Sequence, residues 1–403
     1  MEDHAEIKRL VLRKKCGEPW TATEFPGYNL RIKCGEMKYI YQLAEWPKLQ
    51  WSREKIADQL AWVRHQQGRL IGHMEALGFD LRREAVLNTL TQDVLKSSEI
   101  EGEILNSDQV RSSLARRLGM DIGALEPADR NVEGVVEMML DATQRYDQPL
   151  TEERLFGWHA SLFPTGRSGM TRIKTGVWRD DSNGPMQVVS GPVGRERVHY
   201  EAPAAESLQR EMHAFLEWFN LEGDADAVIK AALAHLWFVT IHPFDDGNGR
   251  IARAIADMEL ARSEASAQRF YSMSAQIRIE RKVYYDILEE TQRDTLDITA
   301  WIEWFLGCLE RAIGGAEKAL EAVLFKARFW ERIASMQINP RQRLVLNRLL
   351  DGFDGKLTST KYAGLTKCSQ DTAYRDIVML VDLGVLLRDG HRGPKTGYVL
   401  VRQ

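Results

Sequence analysis

Cysteine is scarce in this chain. Only Cys16, Cys34, Cys308 and Cys368 occur among 403 residues, far apart and with no C-x-x-C pair. That spacing argues against a disulfide framework or a thiolate zinc site and fits reduced thiols in the cytoplasm. Long apolar runs are lacking too. The most apolar stretch, Ala225 to Phe244, is interrupted by Lys230, His235 and His242, so no membrane contact through a spanning helix is expected. The first fifteen residues begin acidic and have no apolar core before a small-residue cleavage site, so no secretory leader is expected. No charge of either sign dominates: the net charge of -4 gives no global attraction to nucleic acid. A Walker A lysine, a dinucleotide-binding glycine fingerprint, internal repeats and low-complexity tracts are all missing.

What is present reads as a mainly α protein of two or three domains. Residues 1–45 carry short apolar runs broken by glycine and proline, suggesting loops or a small β element. From Ser52 the pattern turns helical, with Ile56, Leu60, Val63, Leu70 and Met74 at helical spacing and Gly78 at the end. Further helices are expected at 81–95, 97–105, 132–146 and 152–162, the last capped by Thr151. Residues 166–203 are rich in Gly and Pro and hold two β-like runs, Met186 to Val189 and Val198 to Tyr200, which predict a hairpin. Helical periodicity returns at 205–220, 225–241, 250–263, 280–292 and 299–322. A tail follows with helices at 341–350, 359–365 and 369–383, then strands at 385–388 and 398–401.

Chemistry concentrates in His242-Pro-Phe-Asp-Asp-Gly-Asn-Gly-Arg-Ile-Ala-Arg253. Pro243 disfavours helix at His242. Gly247 and Gly249 permit a tight turn of converging N–H groups, and a helix begins near Arg250, so an anion site is expected. Arg250 and Arg253 lie one turn apart. Two cations in a first helical turn oppose the macrodipole at a cost of roughly 0.3–1 kcal/mol each, which makes sense where an anion normally sits. Asp246 offers a hard oxygen for Mg²⁺, and His242 can accept a proton near neutral pH.

This string resembles the Fic-domain signature H-x-F-x-[DE]-G-N-G-R-x-x-R at every fixed position. The resemblance implies a Fic-type helical core with a β-hairpin flap and transfer of AMP from ATP to a protein hydroxyl, the chain's own included. It gives His242 as the base and Asp246 as the ligand of Mg²⁺. Gly247, Asn248 and Gly249 would cradle phosphates, with Arg250 at the β-phosphate and Arg253 at the γ-phosphate. Phe244 would anchor the loop. Gly249 stands where kinase-like Doc relatives carry Lys, which implies AMP rather than phosphate as the group moved.

Upstream, Ser97-Ser-Glu-Ile-Glu101-Gly102 resembles the family's inhibitory motif [S/T]-x-x-x-E-[G/N], implying that Glu101 reaches Arg253 and competes with the γ-phosphate. In some relatives that Glu also supports AMP removal. Met186, Gln187, Val188 and Val189 resemble the flap strand that docks an extended target by strand addition. Tyr285 and Gln292 fall in a segment similar to the one lining the adenine. The tail holds eleven Lys and Arg against six Asp and no Glu from residue 335 onward. It resembles a winged helix with Ser369 capping its recognition helix and Arg392 and Lys395 on the wing, a module that contacts DNA or protein. The expected organisation is an accessory, mostly helical region at 1–90, a Fic core at 91–325 and a winged helix at 335–403. A homodimer is expected by analogy. The alternative function is a DNA-binding regulator that uses the core as a nucleotide sensor.

Overall fold

In the computed structural model, residues 38–120, 126–182, 184–191, 195–293, 295–350, 356–389 and 396–401 are described. The accessory segment before residue 38 and the wing residues Arg392 and Lys395 lie outside them. The chain divides into two compact units, residues 1–314 and 315–403. The boundary falls within a long helix.

The first unit is helical, with two short two-stranded hairpins among its described residues. Its helices are α1 (Arg53–Glu75), α2 (Phe79–Ile100), α3 (Ser107–Arg117), α4 (Arg130–Gln144) and α5 (Glu152–Leu162). Two β-hairpins follow, β1 (Arg167–Ser168) with β2 (Thr171–Arg172), and β3 (Gln187–Ser190) with β4 (Arg197–Glu201). Then come α6 (Leu208–Asn220), α7 (Ala227–Ile241), α8 (Asn248–Glu264), α9 (Met273–Ile279), α10 (Arg281–Thr291) and the start of α11 (Thr299–Arg332).

The core is built around α7. Residues Val228 to Ile241 are buried except Lys230, as befits a helix apolar on every side. The indole of Trp301 donates to the Ala232 carbonyl at 2.8 Å and ties α11 to it. Helix starts are locally encoded: Ser52, Asn106, Asp129, Thr151 and Asp226 each accept a backbone N–H with their side chains.

Several boundaries differ from the sequence expectation. The helices expected at 81–95 and 97–105 are one helix, α2, ending at Ile100. No Gly or Pro interrupts Leu95 to Ile100, and Ser97 and Ser98 are buried in the helix. Its end is set instead by Gly102, which has φ 82°. The Gly102 N–H bonds to the Glu99 carbonyl at 3.1 Å and the Glu103 N–H to the Ser98 carbonyl at 3.0 Å. This is a Schellman cap, and its left-handed position suits glycine. Helix α8 starts two residues earlier than expected, with Gly247 as its N-cap. The expected helix 280–292 is preceded by the separate turn of α9. Helix α3 was not foreseen, although Asn106 caps it well.

The second unit comprises the end of α11, α12 (Pro340–Leu350), α13 (Ser359–Thr366), α14 (Gln370–Asp382) and the antiparallel pair β5 (Leu386–Arg388) and β6 (Tyr398–Leu400). It has its own core, including Val345, Leu346, Tyr362, Ile377 and Leu386. Asp376 organises its polar contacts, accepting from Arg341 at 2.9 Å and from the Tyr362 hydroxyl at 3.0 Å. Ser369 caps α14 by accepting from the Thr372 N–H.

Candidate active site

Helix α7 ends at His242, which takes φ 52° and ψ 57°. A non-glycine residue in this region carries backbone strain. Arg179 holds it there: its Nε donates to the His242 carbonyl at 2.8 Å and its own N–H to the Pro243 carbonyl at 2.9 Å. The His242 Nδ1 lies 3.2 Å from the Val239 carbonyl. A carbonyl only accepts, so Nδ1 carries the proton and Nε2 keeps a free lone pair. The ring is half-buried in area but closely surrounded. Burial, then the Arg179 charge, lower its pKa to about 4. His242 is therefore neutral at pH 7 and competent as a base. Transfer that depends on it should be flat from about pH 8 down to pH 5.5 and fall only as pH drops through about 4. A pH–rate series showing a midpoint near the ordinary histidine value of about 6.5 would contradict this placement.

The loop after His242 is fixed from inside. Phe244 is fully buried and stacks on His159 with ring centroids 4.2 Å apart. The Asn248 side chain donates to the Phe244 carbonyl at 2.8 Å and accepts its N–H at 2.9 Å. Those bonds occupy both ends of the Asn248 amide, so Asn248 faces an anion with its backbone N–H. Asp246 accepts the Gly247 N–H at 2.6 Å and the Ser168 hydroxyl. The first N–H groups of α8 have no intrahelical partner, and Arg250 and Arg253 add two buried guanidinium groups.

Internal carboxylates face both arginines. Arg253 Nη2 donates to Glu101 Oε1 at 2.8 Å, and its Nε to the Ser97 hydroxyl at 3.0 Å. Arg250 Nη1 donates to Glu103 Oε2 at 2.7 Å, and its guanidinium lies 4.9 Å from the Phe163 ring centroid. The Schellman cap explains this pairing, because it turns the chain at Gly102 and leaves both carboxylates aimed at α8. Gly249 makes room: a Cβ there would lie 2.3 Å from Glu101 Oε1. Burial opposes the Arg253 charge, but Glu101 together with Tyr284 and Tyr285 outweighs it and the pKa of Arg253 is raised. Arg250 Nε and Arg253 Nη1 still lack a well-formed hydrogen bond among the described residues. The site is an anion cradle partly filled by the chain itself.

Tyr285 comes to the same place, its hydroxyl 3.4 Å from Glu101 Oε2. Gln292 lies apart from the carboxylates, buried at the end of α10 with Nε2 3.2 Å from the Thr240 hydroxyl. In the hairpin, Met186 and Val189 are buried and Gln187 and Val188 half-buried. Gln187 bonds to Glu201 at 2.7 Å, and the Tyr200 hydroxyl donates to the Thr240 carbonyl at 2.6 Å. Residues that the sequence did not single out for the site are Glu103, Ser168, Arg179 and His159. Glu103 sits one residue past the inhibitory motif and could have been found from its charge; the others carry no local signal.

Residues 149–260 match the Fic/DOC family. That stretch holds the hairpin and the whole loop from His242 to Arg253. Residues 39–120, which hold Ser97, Glu101 and Glu103, match a domain of unknown function, DUF4172. The chain is 35% identical over 114 residues to a protein adenylyltransferase Fic of Nematostella vectensis, covering 28% of this chain and 25% of that one. It is 30% identical over 128 residues to a uridine 5'-monophosphate transferase of Xanthomonas campestris, covering 28% and 21%. It thus spans a quarter or less of these curated relatives. A Fic family protein from Desulfovibrio desulfuricans is similar in structure at 22% identity and TM-score 0.47, covering 86% of this chain and 96% of that one. Among the described residues no helix is long and apolar enough to cross a membrane.

Proposed function

We propose that the chain moves AMP from ATP to a hydroxyl of a protein and that Glu101 and Glu103 hold the site closed until ATP displaces them. The observation that carries this reading is the pair of buried arginines at the start of α8, each met by an internal carboxylate, beside a histidine whose Nε2 lone pair is free. An anion site that supplies its own stand-in anions is suited to a polyphosphate whose binding must be contested.

In this reading Arg250 and Arg253 take the β- and γ-phosphates, and the first-turn N–H groups take the phosphate oxygens nearest them. His242 Nε2 receives the proton of the attacking hydroxyl. That oxygen bonds to the α-phosphorus as the bond to the α–β bridging oxygen breaks, and pyrophosphate leaves with the electron pair. Positioning and charge neutralisation carry most of such a reaction. Mg²⁺ suits Asp246, a single hard carboxylate with lone pairs to spare, because Mg²⁺ is commonly held by one or two carboxylates plus phosphates. Among the described residues no group of three or more His, Cys, Asp or Glu could hold a metal ion. Mg²⁺ at Asp246 would neutralise phosphate charge.

The test is the product. With ATP and Mg²⁺, the Glu101→Gly chain should release one pyrophosphate for each AMP bound to protein. Release of ADP, with phosphate on the protein, would contradict the reading. Replacing ATP by UTP in the same assay decides between the donors that the two curated relatives' names suggest.

The three helices and hairpin of the second unit support a winged helix. The exposed face of α14 carries Tyr374, Arg375 and Met379, a mixed surface that favours a protein partner over DNA.

A further inference from the structure

Strand β4 turns alternate side chains to opposite faces. Tyr200 points to α7, where its hydroxyl is bonded, and His199 points to α10. There His199 Nδ1 lies 2.5 Å from Glu289 Oε2, and Nε2 lies 2.5 Å from the Ser190 hydroxyl across the hairpin. Glu289 also receives Arg197 at 2.8 Å and Arg293 at 2.9 Å. Burial raises its pKa, but the bonds from His199 and Arg197 outweigh that and the net shift is down, so the carboxylate stays ionised. An ionised carboxylate only accepts. Nδ1 therefore carries the proton, and in the neutral imidazole Nε2 is the nitrogen that can accept from the Ser190 O–H.

The order is hydroxyl, imidazole, carboxylate, the arrangement of an activated nucleophile with its base and orienter. A purely structural tie between hairpin and α10 would not need the serine. Arg197 bonded to Glu289, and Arg293 donating to the His199 carbonyl at 2.9 Å, already make it. Glu289 lies one turn beyond Tyr285 on α10, so the cluster borders the helix face that meets Glu101.

We propose that Ser190 is a self-modification site, an acceptor of the nucleotidyl group that brings its own base in His199, with Glu289 as orienter. This rests on the nucleotidyl-transfer reading above. Ser190 Oγ attacks the α-phosphorus of the nucleoside triphosphate. The new O–P bond forms, the bond to the α–β bridging oxygen breaks, and pyrophosphate departs with the electron pair. The serine proton passes to His199 Nε2, and Glu289 meets the imidazolium charge.

The experiment is peptide mapping by mass spectrometry of the full Glu101→Gly chain after incubation with ATP and Mg²⁺. AMP is expected on Ser190. Ser190→Ala should remove that adduct and leave adducts at other positions. His199→Gln should slow the Ser190 adduct roughly 10²-fold or more with other adducts unchanged. Glu289→Gln should slow it less and move its pH profile, which loss of packing alone would not do. AMP on other residues with Ser190 unmodified would overturn the proposal, as would a Ser190 adduct formed at the same rate in His199→Gln. Absence of AMP on any residue, with no pyrophosphate released, would overturn the transfer reading itself.

Discussion

The Glu101→Gly chain is expected to transfer AMP on the order of 10²-fold faster than the parent, because a misplacement of about an ångström at a reacting centre costs that much. In the resting protein Arg253 is held by Glu101 at 2.8 Å and by Ser97 at 3.0 Å. Removing the carboxylate empties the space over Gly249, where a Cβ would already collide with Glu101, and frees the arginine for the γ-phosphate. The α-phosphate then aligns with the incoming hydroxyl. Raw ATP affinity should change less than the rate, since Arg250 and the α8 N-terminus are present in both. Arg253→Ala in the same background should cancel the gain. Glu103→Gln should give a smaller gain, as Glu103 is the more exposed carboxylate at 39% against 24% for Glu101. The measurement is self-labelling at equal protein and Mg²⁺. No gain from Glu101→Gly would place the restraint elsewhere. A loss would make Glu101 part of the catalytic apparatus and favour AMP removal.

His242→Ala, scored in a Ser190→Ala background so that a hydroxyl with its own base does not contribute, should lose roughly 10²–10⁴-fold in transfer. ATP binding should stay within about twofold, because in this reading the imidazole meets the nucleophile and the arginines meet the nucleotide. His242→Asn is a useful companion, since an amide can keep a polar group at the strained turn but cannot act as a base. Equilibrium nucleotide binding measured beside the rate separates the two roles. A parallel loss of ATP binding would show that the substitution had collapsed the loop that Arg179 and Asn248 hold.

Much of this site was legible because its chemistry is local in sequence. The twelve residues from His242 to Arg253 form one turn and the start of one helix, so spacing alone brings their groups together. The Glu101–Arg253 contact spans 152 positions and was implied only by resemblance to a known motif. Glu103 was missed although it lies two residues away, because nothing in spacing says that a Schellman cap will turn two carboxylates toward one helix. Arg179 and His159 left no trace, since a lone arginine in a Gly- and Pro-rich stretch and a lone histidine on a helix have bland explanations. The expected break at residues 95–97 is absent, and buried Ser97 and Ser98 lie within a continuous α2. Gln292 fell on helical spacing with Tyr285 and stands at the C-cap of α10, where its side chain bonds to the Thr240 hydroxyl.

Side-by-side labelling of the Glu101→Gly chain with ATP carrying label at the α-phosphate or at the γ-phosphate, with Mg²⁺, tests nucleotidyl transfer at α8 most directly. Label should enter protein from the α-phosphate and not from the γ-phosphate, and Arg253→Ala should suppress it. Incorporation from the γ-phosphate equal to or above that from the α-phosphate would show phosphoryl transfer and contradict the orientation assigned to Arg250 and Arg253.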